Sequence, residues 1–186
     1  MFLPLFVTLL PVIFLGGLIR NAVLFRRRKI DMDGEPPISR LPFVSSKYAI
    51  VMVWGAMVVQ SWGGSLSPVA VPAVFKNASL GLWVMGFALL FSGRAGLGDH
   101  FRIGSPKERT GLRQTGLYRF SRNPMYVGVY TTLCAAVVRT LNPVVLLVAV
   151  YVIAVHHKIV LAEEEHLRRA CGEEYRNYCN QVGRYL

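Results

Sequence analysis

The chain has 186 residues, 53% of them hydrophobic, and a formal net charge of +11. Its apolar residues lie in long runs instead of amphipathic alternation, which excludes an ordinary soluble enzyme and reads as an integral membrane protein. The basic residues border those runs and are not interleaved with aromatics on a polar domain, so the charge points to anionic lipid headgroups and membrane orientation, not to nucleic acid.

The first apolar run, Phe2 to Ile19, is followed by Arg20, Arg26, Arg27, Arg28 and Lys29. A secretory signal peptide carries its charge before the apolar core, so the reversed order predicts a retained first span with its amino end outside. A polar loop from Asp31 to Lys47 contains Pro36, Pro37 and Pro42, and the second span is expected over Tyr48 to Trp62, short unless it tilts or starts before Lys47. Gly63 to Lys76 reads as a turn region with a re-entrant or interfacial piece at Val69 to Phe75. The third span, about Ala78 to Ser92, carries Gly81, Gly86 and Ala88, small residues on which another helix packs closely. After a polar tract from Gly93 to Asn123, spans four and five are expected over Met125 to Val138 and Val144 to Ile159, joined by Arg139 to Pro143. A charged helical tail runs from Glu163 to about Gln181, with Leu167, Ala170, Cys171, Tyr175 and Tyr178 at helical spacing.

Charge distribution gives the same topology independently. Arg20, Arg26, Arg27, Arg28, Lys29, Arg40 and Lys47 crowd the first loop, and Arg94, Arg102, Lys107, Arg109, Arg113, Arg119 and Arg122 crowd the Gly93 to Asn123 tract, whereas the two other turns hold Lys76 and Arg139. The positive-inside rule places the rich loops and the tail in the cytoplasm. The expected fold is an all-α polytopic bundle of about five spans, with residues 1–92 as scaffold and 93–186 as the functional half.

Folding spans four and five as a helical hairpin returns Glu163, Glu164 and Glu165 to the Arg-rich and Tyr-rich turn from Gly116 to Tyr126. Carboxylates at a span boundary need solvent or cationic partners. They could simply begin the tail helix, favoured by its dipole, but at roughly 100° per residue three in a row cannot all face outward, and one turns toward Arg122 or a cationic ligand. Arg119 and Arg122 also suit membrane-surface anchors, and Tyr118 and Tyr126 interfacial aromatics. His156 and His157 are adjacent, point about 100° apart and lack an HxxxH partner, so they make a poor metal pair. Cys134, Cys171 and Cys179 contain no CxxC pair and indicate neither a disulfide framework nor zinc. Gly93 to Gly98 reads G-x-x-G-x-G, which matches neither a dinucleotide fingerprint nor a phosphate loop.

The ordered series Gly116-Leu117-Tyr118, Arg122-Asn123-Pro124-Met125-Tyr126-Val127-Gly128, Asn142-Pro143, Glu163-Glu164-Glu165 and Gly172-Glu173-Glu174-Tyr175 resembles the membrane methyltransferases of the isoprenylcysteine carboxyl methyltransferase and phospholipid N-methyltransferase superfamily. The similarity covers about Asp99 to Tyr178. It implies S-adenosylmethionine as methyl donor and S-adenosylhomocysteine as product, in a pocket formed by the Gly93 to Asn123 tract, the hairpin and the tail helix. The short soluble parts and the absence of eukaryotic retention signals lead to the separate expectation of a bacterial inner membrane with the site facing the cytoplasm. By position, Thr110, Gly111, Leu112 and Arg113 would line the cofactor, Tyr118, Asn123, Pro124, Met125 and Tyr126 would enclose it, and Glu164 would bind its methionyl ammonium. His100 falls in a stretch similar to the family's entrance to the cofactor loop.

Two positions depart from the usual pattern. Asn123 stands where histidine is common, and Val160 stands four before Glu164, where the prenylcysteine enzymes resemble one another in carrying a substrate-binding arginine. Lys158 or Arg122 would have to replace that charge. The resemblance therefore implies methyl transfer to a lipophilic acceptor, a phospholipid amine foremost, with a prenylcysteine-type carboxylate as the alternative. An amine must first lose its proton, for which Glu163, Glu165 and His100 are the candidate bases. A third reading is a non-enzymatic membrane protein in which Arg122 and Glu164 form a structural pair.

Overall fold

The computed structural model describes residues 2–27, 36–97 and 112–185, which form α1 (Phe2–Arg27), α2 (Arg40–Ser61), α3 (Ala73–Leu97), a 3-10 turn (Gly116–Arg119), α4 (Pro124–Thr140), α5 (Pro143–Cys171) and α6 (Glu173–Gln181). Among the described residues α1, α2, α3 and α5 are long and apolar enough to cross a membrane. Only 17% to 33% of the most apolar stretch of each is buried against protein, as expected of helices whose outer faces meet lipid. The chain is an integral membrane helical bundle. The expected fourth span, α4, has 17 residues and is about 26 Å long, at the short end of what crosses a hydrocarbon core. Its small residues Gly128, Ala135 and Ala136 are buried inside the bundle.

The helices overrun the apolar segments, because hydropathy marks the part in lipid while backbone hydrogen bonding continues into the polar flanks. Thus α1 continues to Arg27 and α2 begins at Arg40, which supplies the length that Tyr48 to Trp62 lacks. Of the stretch expected as a re-entrant or interfacial piece, residues 70–72 are irregular and residues 73–75 are the first turn of α3, which starts at Ala73 after Pro72, so it makes no separate helix. Pro68 and Pro72 punctuate that stretch and leave too few residues between them for a helical turn to close.

The core is aromatic. Trp54, Trp83, Phe87, Phe14 and Phe91 meet largely edge to face, with ring centroids 5.0–6.3 Å apart. Pro11 inside α1 cannot donate to the carbonyl of Val7, and that carbonyl instead accepts from Trp83 Nε1 at 3.2 Å. The backbone defect is thereby satisfied across the α1–α3 contact, as a lipid environment requires.

The α3–α4 crossing is set by glycines. A Cβ on Gly128 would stand 2.8 Å from the Gly86 carbonyl oxygen, and one on Gly93 would stand 2.7 Å from Met125 Cγ. Of the small residues expected to pack, Gly86 does so, whereas a Cβ on Gly81 would meet nothing within 4 Å. The turn from α4 to α5 is equally local in origin: Leu141 adopts φ 44°, Asn142 Oδ1 accepts from the amides of Val144 and Val145 at 2.8 and 3.3 Å, and Pro143 opens α5.

The charged tail is two helices, not the single one expected. Glu163–Cys171 belongs to α5, and Gly172, at φ 54° and ψ −122°, ends that helix and redirects the chain into α6. Glycine takes this conformation without steric penalty. The change of direction folds α6 back against the Gly116–Tyr126 turn, where Tyr178 donates its hydroxyl to the Tyr118 carbonyl at 2.6 Å.

Candidate active site

The end of α3, the 3-10 turn, the first turn of α4, the polar end of α5 and the segment after α6 converge at one end of the bundle. Asn123 precedes Pro124 at the start of α4, where proline needs no donor, and the preceding turn is closed by Phe120 and Ser121 amides donating to the Leu117 carbonyl, each at 3.1 Å. This fixes Arg122 and Asn123 over the face of α5 that carries Glu164.

Glu164 is the centre of the cluster. It is 4% exposed, and both carboxylate oxygens are engaged. Oε1 takes Arg122 Nη2 at 3.2 Å and Asn123 Nδ2 at 3.4 Å; Oε2 takes Arg184 Nε at 3.0 Å and Nη2 at 2.9 Å. The bond to Glu164 pushes the Arg184 guanidinium above its ordinary range. Arg122 Nε is buried without a hydrogen-bond partner among the described residues. The cluster thus holds a buried carboxylate already shared by two guanidinium groups and an unused guanidinium N–H able to meet an anion, in poorly solvated surroundings that strengthen such contacts.

Glu163 lies beside it but answers to different residues. Its Oε2 accepts from the Tyr126 hydroxyl at 3.0 Å, and the Tyr126 ring meets His156 edge-on at 5.5 Å between centroids. Tyr126 in turn packs against the apolar cluster of Phe43, Val155 and Ile159, with Ile38. His157 is directed elsewhere, its Nδ1 sharing a 2.8 Å hydrogen bond with the Tyr185 hydroxyl.

Of the residues expected at the site, Arg122, Asn123, Pro124, Tyr126, Glu163 and Glu164 are brought together, with Met125 on α4 packed beneath against Gly93. Tyr118 is buried on the flank and donates to the Gly93 carbonyl at 3.4 Å; burial raises the pKa of its phenol. Glu165 is not brought in. The third residue of the run swings to the outer face of α5, where it bonds Arg168 and, at 2.9 Å, Arg169. Leu112 is half-buried and Arg113 exposed, and His100, Thr110 and Gly111 lie outside the described residues. Val160 is wholly buried one turn before Glu164, so that position presents no charge.

Arg184, Tyr185 and Ser121 are the site residues that sequence reading missed. Arg184 follows the amphipathic pattern of α6, and its sequence signal is only a cation in a short Gly-containing segment, which by itself matches a solvated end. Twenty residues separate it from Glu164, and no local periodicity joins them.

A family model described as PEMT, phospholipid methyltransferase, matches residues 75–174, which is 100 of the 186 residues. The match takes in α3, the Arg122–Tyr126 turn, the α4–α5 hairpin and the start of α6, and stops before Arg184. No curated protein matches the chain.

Proposed function

The chain belongs to the phospholipid methyltransferase family and is on that ground a membrane methyltransferase; from this premise we propose that it transfers a methyl group from S-adenosylmethionine to the amine of a phospholipid or of a similar lipophilic acceptor. The observation that carries the reading is the pairing of two unlike carboxylates on adjacent residues of α5. Glu164 is paired with two guanidinium groups, while Glu163 accepts from the hydroxyl of Tyr126, a residue that packs against an apolar cluster.

The amino-acid end of the donor fits the first of these. Its ammonium matches Glu164, and its carboxylate matches the unpartnered Arg122 Nε–H, with Asn123 orienting the glutamate between them. When bound, S-adenosylmethionine supplies a sulfonium-activated methyl for in-line displacement and leaves as S-adenosylhomocysteine. Glu163 serves the acceptor: Tyr126 fixes one carboxylate oxygen, and the other is available to take the proton that a protonated amine must lose before it attacks. Tyr118 and Tyr126 exclude water and hold the reacting groups in register, which supplies much of the rate in a charge-neutralising transfer. The acceptor reaches the site laterally from the bilayer, and the basic loops put this end of the bundle on the cytoplasmic side. Buried Val160 weighs against an anionic prenylcysteine carboxylate as the substrate.

The test is calorimetric titration of purified protein, in detergent with lipid added back, with S-adenosylmethionine and S-adenosylhomocysteine, followed by a labelled-methyl screen of lipid extracts. Glu164→Gln is expected to weaken binding at least about tenfold, the effect of losing one charge-assisted contact. Tyr126→Phe should leave binding within a few-fold and slow transfer by about a hundredfold. Well-folded protein that binds neither compound overturns the reading.

A further inference from the structure

We propose that the segment Val182–Tyr185 is a strap in which Arg184 holds Glu164 and yields it to the ammonium of the methyl donor, so that donor binding and strap release are coupled. The inference rests on the reading of Glu164 as the donor's ammonium site, and it concerns residues beyond those that the family pattern covers.

The strap is built from main-chain and side-chain contacts at three points. After α6 the chain turns extended at Val182, with φ −127° and ψ 129°. The Gly183 carbonyl accepts from the Arg122 amide at 3.0 Å, and the Arg184 carbonyl accepts from Asn123 Nδ2 at 3.2 Å and Ser121 Oγ at 3.5 Å. Tyr185 then anchors to His157 through its hydroxyl at 2.8 Å and meets Tyr130 edge-on at 5.7 Å. These contacts lay the segment across the signature turn and deliver the Arg184 guanidinium to one oxygen of Glu164, on which it places two nitrogens.

One carboxylate then carries two guanidinium groups, and it cannot also accept an ammonium while both stay. The two partners differ in what their release costs. Arg122 has 11% of its side chain exposed and would be stranded as a buried charge, whereas Arg184 has 36% exposed and can turn into water. Arg184 is therefore the partner that exchanges. Its departure removes the side-chain tie while the weaker carbonyl contacts remain, which lets the strap loosen without unfolding α6.

The test compares wild type, Arg184→Ala and Tyr185→Phe in the same detergent, titrated with S-adenosylhomocysteine, which carries the ammonium, and with 5′-methylthioadenosine, which lacks the amino-acid end. Arg184→Ala should bind S-adenosylhomocysteine roughly three- to fivefold tighter and methylthioadenosine unchanged. Tyr185→Phe, which loosens the strap but keeps the arginine, should move the same way by less. In wild type, S-adenosylhomocysteine should speed hydrogen exchange at the Arg122 amide, which donates to the Gly183 carbonyl of the strap. Equal or weaker S-adenosylhomocysteine binding by folded Arg184→Ala, or slowed exchange at the Arg122 amide, overturns the strap and leaves the methyltransferase reading standing. Absence of S-adenosylhomocysteine binding in all three proteins overturns both.

Discussion

Glu164→Ala removes the one carboxylate shared by Arg122 and Arg184, and the two arginines are affected unequally. Arg122, nearly buried, loses its counter-charge; breaking a buried pair from one side costs about 3–5 kcal/mol because the stranded charge cannot be solvated. Arg184, about a third exposed, turns into water, and its part is about 1 kcal/mol or less. Glu164→Gln has the same shape but only one acceptor oxygen. Its amide turns that oxygen to Arg122 and its NH2 toward Arg184, which swings away, so the loss falls to about 1–2 kcal/mol. Chemical unfolding in one detergent should therefore rank wild type above Gln and Gln above Ala, with about 1 kcal/mol or more between the two variants. Raising salt to about 1 M should shrink only the Arg184 part. An alanine variant as stable as wild type would refute the premise that Arg122 is a buried charge dependent on Glu164.

Two further outcomes follow from packing and burial. Gly128→Ala places a methyl 2.8 Å from the Gly86 carbonyl and 3.0 Å from the Leu90 amide nitrogen, backbone that cannot rotate aside, so α3 and α4 must separate at a cost of about 1–3 kcal/mol; Gly81→Ala, which meets nothing, should stay within about 0.5 kcal/mol in the same unfolding assay. Burial raises the phenol pKa values of Tyr118, Tyr175 and Tyr178, the last to about 12. The fold therefore holds protons that the unfolded chain releases from about pH 10, and stability present below that pH is lost as pH rises toward 12. Melts taken between pH 8 and 11.5 should show the decline, and Tyr178→Phe should make it shallower; a flat profile would show these phenols to be solvated.

Sequence alone determined the membrane character of the chain, the helical hairpin that carries the acids back to the Arg122–Tyr126 turn, and the necessity that one of three consecutive glutamates face inward. Each follows from a local rule: apolar run length, proline at a helix start, and the angular step of a helix. The turn and hairpin were legible because their residues lie close in sequence to the elements they begin and end. Helix ends were not, since polar flanks extend a helix without changing its apolar length, as at Arg27 and Arg40. Nor was the break at Gly172, because a glycine in a charged helical pattern is compatible with continuation until the packing of Tyr178 on the Tyr118 carbonyl selects the turn. Arg122 was expected as a partner and Glu164 was the inward acid by resemblance, a pairing the structure bears out, whereas the places of Glu163 and Glu165 and the second arginine were decided by tertiary structure. Glu163, Glu164 and Glu165 are chemically alike, and only the rotation of α5 against α4 gives one to Tyr126, one to Arg122 and Arg184, and one to the outer surface. Arg184 joins them because α6 reverses direction, and long-range contacts of that kind leave no periodic trace in the residues that make them.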